Sequence, residues 1–312
     1  MRGLKNFLIL YFKGIAMGCA DAVPGVSGGT IAFISGIYEV LVNSLRSFDR
    51  KAVRLLFQYD IKGFWNHVNG IFLLVLLSGI GTAILSLSRL ILYCLKYYPE
   101  MLWAFFFGLV VASAIVVSKK IEQWNGPVII SGLLGILFGY YITVATPAET
   151  SATLWFVFIS GMIAICAMIL PGISGSFILV LLGMYEYVLS ALKEFNLLVI
   201  IIFSSGAAIG ILSFSHLLNW TLRRFHNITI AALTGIMVGS LNKVWPWKKV
   251  IETYTTHKGE IKPLIEQNIL PTAYFDITGK EPYLIYAVAL GIIGFAVVYY
   301  LEKMSPENSF KA

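Results

Sequence analysis

Two stretches of the chain carry the residue types needed to hold an anion. Pro24-Gly25-Val26-Ser27-Gly28-Gly29, with Thr30 next in line, recurs about 147 residues later as Pro171-Gly172-Ile173-Ser174-Gly175-Ser176. A proline ahead of Gly-x-Ser-Gly at a helix start leaves several backbone amides unpaired, beside a hydroxyl and at the positive end of the helix dipole. Phosphate above all suits such a place. Glycines at 25, 28, 29, 172 and 175 let the backbone approach a ligand closely. One copy alone is a weak signal, since Gly and Pro also interrupt membrane helices for packing. The repetition raises it.

The repetition extends beyond the motif. Gly36-Ile37-Tyr38-Glu39 follows the first copy at the distance at which Gly183-Met184-Tyr185-Glu186 follows the second, and Cys19, Ala20 and Ile31 match Cys166, Ala167 and Ile178. Roughly a dozen identities in just over thirty positions mark an internal duplication. Downstream the offset becomes about 127: Ser78-Gly79, Ile84-Leu85-Ser86 and Ser88 match Ser205-Gly206, Ile211-Leu212-Ser213 and Ser215, and Gly108 and Ser113 match Gly235 and Ser240. In a membrane protein, duplicated apolar segments broken by Pro and Gly point to a transporter's substrate site.

Ionisable residues inside apolar sequence are the next candidates, because each is costly in hydrocarbon without a partner or a cavity. Arg89 is matched by His216, a cationic pair suited to one negative headgroup, although Arg89 could instead snorkel to an interface and His216 could be a hydrogen-bonded packing residue. Glu39 and Glu186 are matched acids. They read equally as proton-coupling carboxylates or as interfacial partners of Arg46 and Lys193. Asp21 stands alone, with Met168 at its equivalent, and could carry a proton or pair with Arg89.

These residues need elements to hold them, and the composition says which kind. The 312 residues are 58% hydrophobic and 12% charged, with a mean hydropathy of +0.82, which belongs to a polytopic membrane protein. Apolar runs at 71–95, 101–118, 127–145, 197–222, 228–244 and 283–301 each match a hydrocarbon core of about 30 Å. Basic residues at the N-terminus (Arg2, Lys5), in a 46–68 insertion (Arg46, Arg50, Lys51, Arg54, Lys62), at Lys119-Lys120 and at Arg223-Arg224 all fall on the cytoplasmic side by the positive-inside rule. The chain between the first two must then cross an even number of times or not at all. Phe7 to Ala20 spans only about 21 Å as a helix.

The expected fold is therefore an all-α integral membrane protein of two inverted-topology repeats, each a re-entrant helical hairpin plus three spans. Residues 1–146 form the first (hairpin 7–45, amphipathic basic insertion 46–68) and 147–312 the second (hairpin 154–192, polar loop 248–282). Both termini are expected in the cytoplasm. The competing arrangement makes each hairpin two full crossings, with Ile31 to Leu45 as part of one.

Other classes fall away. The net charge of +7 fits cytoplasmic loops and anionic headgroups better than nucleic acid. Cys19, Cys94 and Cys166 lack metal-ligand or disulfide spacing. Met17-Gly18-Cys19 is not expected to be a cleavage site, because Lys13 interrupts the preceding apolar run and Cys166 repeats the position deep in the chain. With no Walker motif and with His67, His216, His226 and His257 scattered, neither a cofactor nor a bound metal is expected. The oligomeric state stays open, a homo-oligomer included.

The stretch Gly18 to Thr30 resembles the N-terminal signature of the bacterial and archaeal polyprenyl-phosphate transporters called PopT, and Leu170 to Glu186 resembles their second copy. The similarity covers nearly the whole chain. It implies translocation of undecaprenyl phosphate, the carrier lipid of cell-envelope synthesis, back to the cytoplasmic leaflet of the plasma membrane, with no catalytic residues. Two rivals remain at this point: an integral-membrane lipid phosphatase or transferase, and a transporter of a small soluble anion.

Overall fold

The computed structural model describes residues 2–21, 26–148, 150–255 and 261–304. Pro24 and Gly25, the head of the first motif, lie outside the described residues. The first half runs α1 (Arg2–Asp21), α2 (Gly28–Ile34), α3 (Tyr38–Arg46), α4 (Arg50–Phe57), α5 (Ile61–His67), α6 (Gly70–Ser86), α7 (Ser88–Tyr97), α8 (Pro99–Ser118) and α9 (Gly126–Val144). The second runs α10 (Leu154–Ile169), α11 (Gly175–Leu181), α12 (Tyr185–Lys193), α13 (Leu197–Arg224), α14 (His226–Ser240), strands β1 (Lys248–Thr255) and β2 (Ile261–Asn268), α15 (Pro271–Thr278) and α16 (Leu284–Met304).

The duplication seen in the sequence is carried into the helices. α2 and α3 are reproduced by α11 and α12 at the motif offset, and α6 plus α7 cover the residues equivalent to the single helix α13. Each short pair is sharply bent, by 116° between α2 and α3 and by 112° between α11 and α12. The cause lies in Gly36 and Gly183, whose φ values of 73° and 67° belong to the left-handed region open to glycine without strain. That bend rules out Ile31 to Leu45 as one straight crossing.

Among the described residues three helices, α8, α9 and α13, are long and apolar enough to cross a membrane, or up to six spans if each bent pair counts as one, the third pair being α5 with α6 at 67°. α8 is central, with 56% of its apolar window buried, against 17% for α9 and α13. The latter turn Leu133, Leu137, Leu197 and Ile201 outward, as a lipid solvent permits. α2 is buried along its whole length, packed among α1, α8, α10 and α3.

Glycines set the helix contacts, because without a Cβ two backbones can close to van der Waals distance. A Cβ at Gly14 or Gly79 would collide across the α1–α6 contact, and one at Gly161 or Gly206 across the equivalent α10–α13 contact. The remaining pairs are exchanged between halves: Gly108 and Gly294 fit α8 against α16, while Gly235 and Gly135 fit α14 against α9. Each half thus supplies the last helix that covers the other. The last helices of the two halves therefore correspond, since Gly132 meets Gly235 as Gly291 meets Gly108.

The all-α expectation fails at 248–268. There β1 and β2 pair antiparallel, from Lys248 opposite Asn268 to Thr255 opposite Ile261, followed by the short α15. Val250, Ile251, Thr253 and Tyr254 are β-formers held against the bundle at Trp247, whose indole donates to the Pro282 carbonyl at 2.9 Å. In the 46–68 insertion, Asp49 caps α4 by accepting from Lys51 and Ala52 N–H at 2.9 and 3.0 Å.

Candidate functional site: the meeting of the two helix breaks

The two motifs, far apart in sequence, touch. Ser27 is the N-cap of α2; its hydroxyl oxygen accepts the Gly29 N–H at 3.1 Å and donates across to the Leu170 carbonyl at 3.1 Å. Thr30, one turn into α2, accepts the Gly172 N–H at 2.9 Å. Tyr38 at the start of α3 donates to the Ile169 carbonyl at 3.2 Å. A Cβ at Gly29 would lie 2.7 Å from the Ile169 carbonyl oxygen, so the first tip lies against the end of α10. Ser27 and Thr30 are almost fully buried, at 1% and 0% exposure, and a buried polar seam of this kind is stable only because its members find partners.

The two tips differ in what occupies their amides. At the first, Asp21 at the end of α1 accepts the Gly28 N–H at 2.7 Å, placing a carboxylate on an amide that an anion would use. At the second, Ser174 makes no capping bond to α11; its hydroxyl pairs with Ser176 at 2.8 Å. Met168, the equivalent of Asp21, cannot accept as a carboxylate does. A Cβ at Gly175 would lie 2.6 Å from the Ala164 carbonyl oxygen, so this tip too is built on close backbone contact.

The remaining candidates lie elsewhere. Arg89, early in α7, is exposed, and among the described residues it makes neither an ion pair nor a hydrogen bond, with Asp21 or any other. His216 is exposed on α13, its Nδ1 2.8 Å from the Leu212 carbonyl of its own helix. Glu39 is exposed and Glu186 half-buried. Arg46 donates to Asn219 at 2.9 Å, and Asn219 in turn bonds Asn43.

Sequence reasoning gave Tyr38 no role beyond marking the repeat, and it passed over a basic cluster beside the second tip. A small crevice lined by Gly172, Ser174, Ser240 and Lys243 adjoins a cleft of about 290 Å³, the two sharing Thr143, Phe177 and Lys243. Lys243 and Lys248 both reach Glu266 Oε2, at 3.3 and 3.5 Å. The available signal was two lysines flanking the end of a span, next to a loop too polar to be another span.

A bundle of apolar helices, duplicated, with irregular backbone from both halves meeting in a buried polar seam, is the build of a membrane transporter. Among the described residues no group of His, Cys, Asp and Glu could hold a metal ion. Residues 17–262 match the family described as VCA0040-like, undecaprenyl phosphate translocase-like, and the chain belongs to that family of membrane transporters, which are not enzymes. It is 45% identical over 298 residues to a polyprenyl-phosphate transporter of Vibrio cholerae serotype O1, covering 96% of this chain and 97% of that one. It is 31% identical over 256 residues to a polyprenyl-phosphate transporter of Staphylococcus aureus, covering 75% and 84%. No solved structure matches the chain.

Proposed function

We propose that this protein carries undecaprenyl phosphate, or a closely related polyprenyl phosphate, across the bacterial cytoplasmic membrane, returning the carrier lipid to the inner leaflet. The observation that carries the reading is the junction of Ser27, Thr30 and Tyr38 with the 169–172 segment, joined to the near full-length similarity to polyprenyl-phosphate transporters. A phosphate headgroup carries a charge of about −1.5 to −2 and cannot enter hydrocarbon unaided, since even one desolvated charge costs several kcal/mol. Amides and hydroxyls of both tips would replace its water while the isoprenoid tail stays in lipid.

In this reading the repeats have opposite orientations. The α1–α2 hairpin enters from the cytoplasm and α10–α11 from outside, with both termini cytoplasmic, following the distribution of Lys and Arg. The headgroup binds among Pro24, Gly25, Ser27, Gly28, Gly29, Thr30, Gly172, Ser174, Gly175 and Ser176, and the seam between the tips parts and closes as the site alternates between leaflets. Arg89 falls near the outer end of its span and His216 near the inner end of its own. On the lipid-facing surface each would meet a headgroup arriving sideways from its leaflet. Asp21 supplies the coupling step: its carboxylate competes with phosphate for the Gly28 amide, and protonation or withdrawal frees that amide. Glu39 and Glu186, at the two exits, are the further coupling candidates.

The test is leaflet exchange of undecaprenyl phosphate in proteoliposomes, run with and without a pH gradient. Exchange without release of inorganic phosphate supports the reading; uptake of a tailless anion in its place would move the protein to the soluble-anion class.

A further inference from the structure

The cleft beside the second tip combines space, charge and a route. Its walls come from the ends of α9 and α14, from α11 and from β2, with Tyr140, Thr143, Lys243, Lys248, Glu266 and Asn268 among its lining. Lys248 is 7% exposed along its side chain, its ammonium donating to the Lys243 carbonyl at 2.6 Å and lying 4.2 Å from the centroid of the Trp103 ring. Lys243 lies 4.8 Å from the Phe177 ring centroid. Both ammonium groups converge on one oxygen, Glu266 Oε2. Two positive charges thus meet one negative charge in a partly enclosed site, an arrangement left with one unit of positive charge. Lys243 also lines the crevice under Gly172 and Ser174, so the cluster stands at the head of a path to the second tip.

We propose that Lys243 and Lys248 form a capture site for a phosphate monoester headgroup, in which Glu266 occupies the anion position until the lipid arrives. This rests on the transport reading and its orientation, which places the cleft on the outer side. A phosphate monoester, with a charge of about −1.5 to −2, neutralises two lysines more completely than one carboxylate does, and charge-assisted hydrogen bonds to its three oxygens are the stronger kind. Glu266 is therefore a competitor for the site. Removing its charge and removing a lysine's charge must act in opposite directions on binding.

That sign decides the matter. Full-length protein in nanodiscs is titrated with undecaprenyl phosphate, undecaprenol and inorganic phosphate, as wild type, Lys243→Gln, Lys243→Arg and Glu266→Gln, with thermal unfolding of each recorded. The expected result is affinity for undecaprenyl phosphate about tenfold lower in Lys243→Gln, largely kept in Lys243→Arg and several-fold higher in Glu266→Gln. Undecaprenol binding should not change, and inorganic phosphate should compete weakly. If the cluster only fastens the β-hairpin, Lys243→Gln and Glu266→Gln both lose thermal stability and neither changes the affinity, which overturns the capture site. Inorganic phosphate binding as tightly as the lipid would overturn the lipid headgroup as its occupant. A wild-type protein that binds no undecaprenyl phosphate defeats the transport reading itself. One that flips the lipid while the variants bind it unchanged defeats the capture site alone.

Discussion

Thr30 accepts the backbone N–H of Gly172 at 2.9 Å, 142 residues away in the chain. Through this bond the α2 helix of one half holds the broken backbone of the other, and an amide in the second motif is occupied by a hydroxyl. Any conformation that offers that amide to a ligand must first break this contact.

Thr30→Val keeps the shape of the side chain and deletes the acceptor, leaving a buried N–H unpaired at a cost of about 1–3 kcal/mol. The expected outcome is a lower midpoint of thermal unfolding in detergent, with Thr30→Ser close to wild type. Equal midpoints for all three would show that the bond contributes nothing to the closed seam.

Space at the glycines predicts which substitutions stop transport. Gly29→Ala places a methyl group 2.7 Å from the Ile169 carbonyl oxygen and Gly175→Ala one 2.6 Å from that of Ala164, distances that force the backbones apart. Both should cut lipid exchange at least about tenfold, because a displacement of the order of 1 Å at a positioned site is costly. Gly81→Ala, with nothing within 4 Å of the added Cβ, should be neutral. Loss of the hydroxyl alone, in Ser27→Ala or Ser174→Ala, should reduce exchange more mildly.

Orientation is tested by labelling single cysteines in a chain freed of Cys19, Cys94 and Cys166. Positions 51, 120, 148 and 280 are all exposed. Cysteines at 51 and 120 should react only from the cytoplasm, and those at 148 and 280 only from outside. Labelling of 51 and 148 from one side would end the inverted arrangement.

The cleft should show a pH signature. Burial pushes the Lys248 ammonium down to about 8, with Glu266 raising it in part and Lys243 lowering it further. Burial acts to raise the Glu266 carboxyl, but Lys248 and Lys243 hold it below its ordinary 4.5. Between pH 8 and the ordinary lysine value of 10.5 the unfolded chain binds the proton that the folded protein has released. The Lys248 contribution to stability therefore rises with pH across that window. The Glu266 contribution is complete above 4.5 and is lost as pH falls through its depressed value. Thermal unfolding of wild type, compared with Lys248→Met across pH, should show the wild type gaining on the variant from pH 8 upward. A flat difference would contradict the buried ammonium.

Local signals were legible in the sequence, and the ones that failed were those that depend on distant partners. The long apolar helices α8, α9 and α13, the two breaks and the equivalence of Gly36 with Gly183 could be read directly, because hydropathy and glycine act within a few residues. The hairpin at 248–268 has no comparable local signal, because its two runs are short and polar and the second carries Pro263, so the segment reads much like a loop. Asp21 accepts the Gly28 N–H seven residues on, across a helix break whose geometry no periodicity supplies. Tyr38 meeting Ile169 and Lys243 meeting Glu266 need the tertiary fold, and no pattern in the chain announces either.

The most direct test reconstitutes the purified protein in liposomes carrying undecaprenyl phosphate and follows the phosphate group's accessibility in each leaflet over time. The account predicts rapid exchange with wild type, no phosphate release, and loss of exchange in Gly28→Leu and Gly175→Leu proteins of normal abundance. Exchange no faster than in protein-free liposomes, or full exchange with both leucine variants, would contradict it.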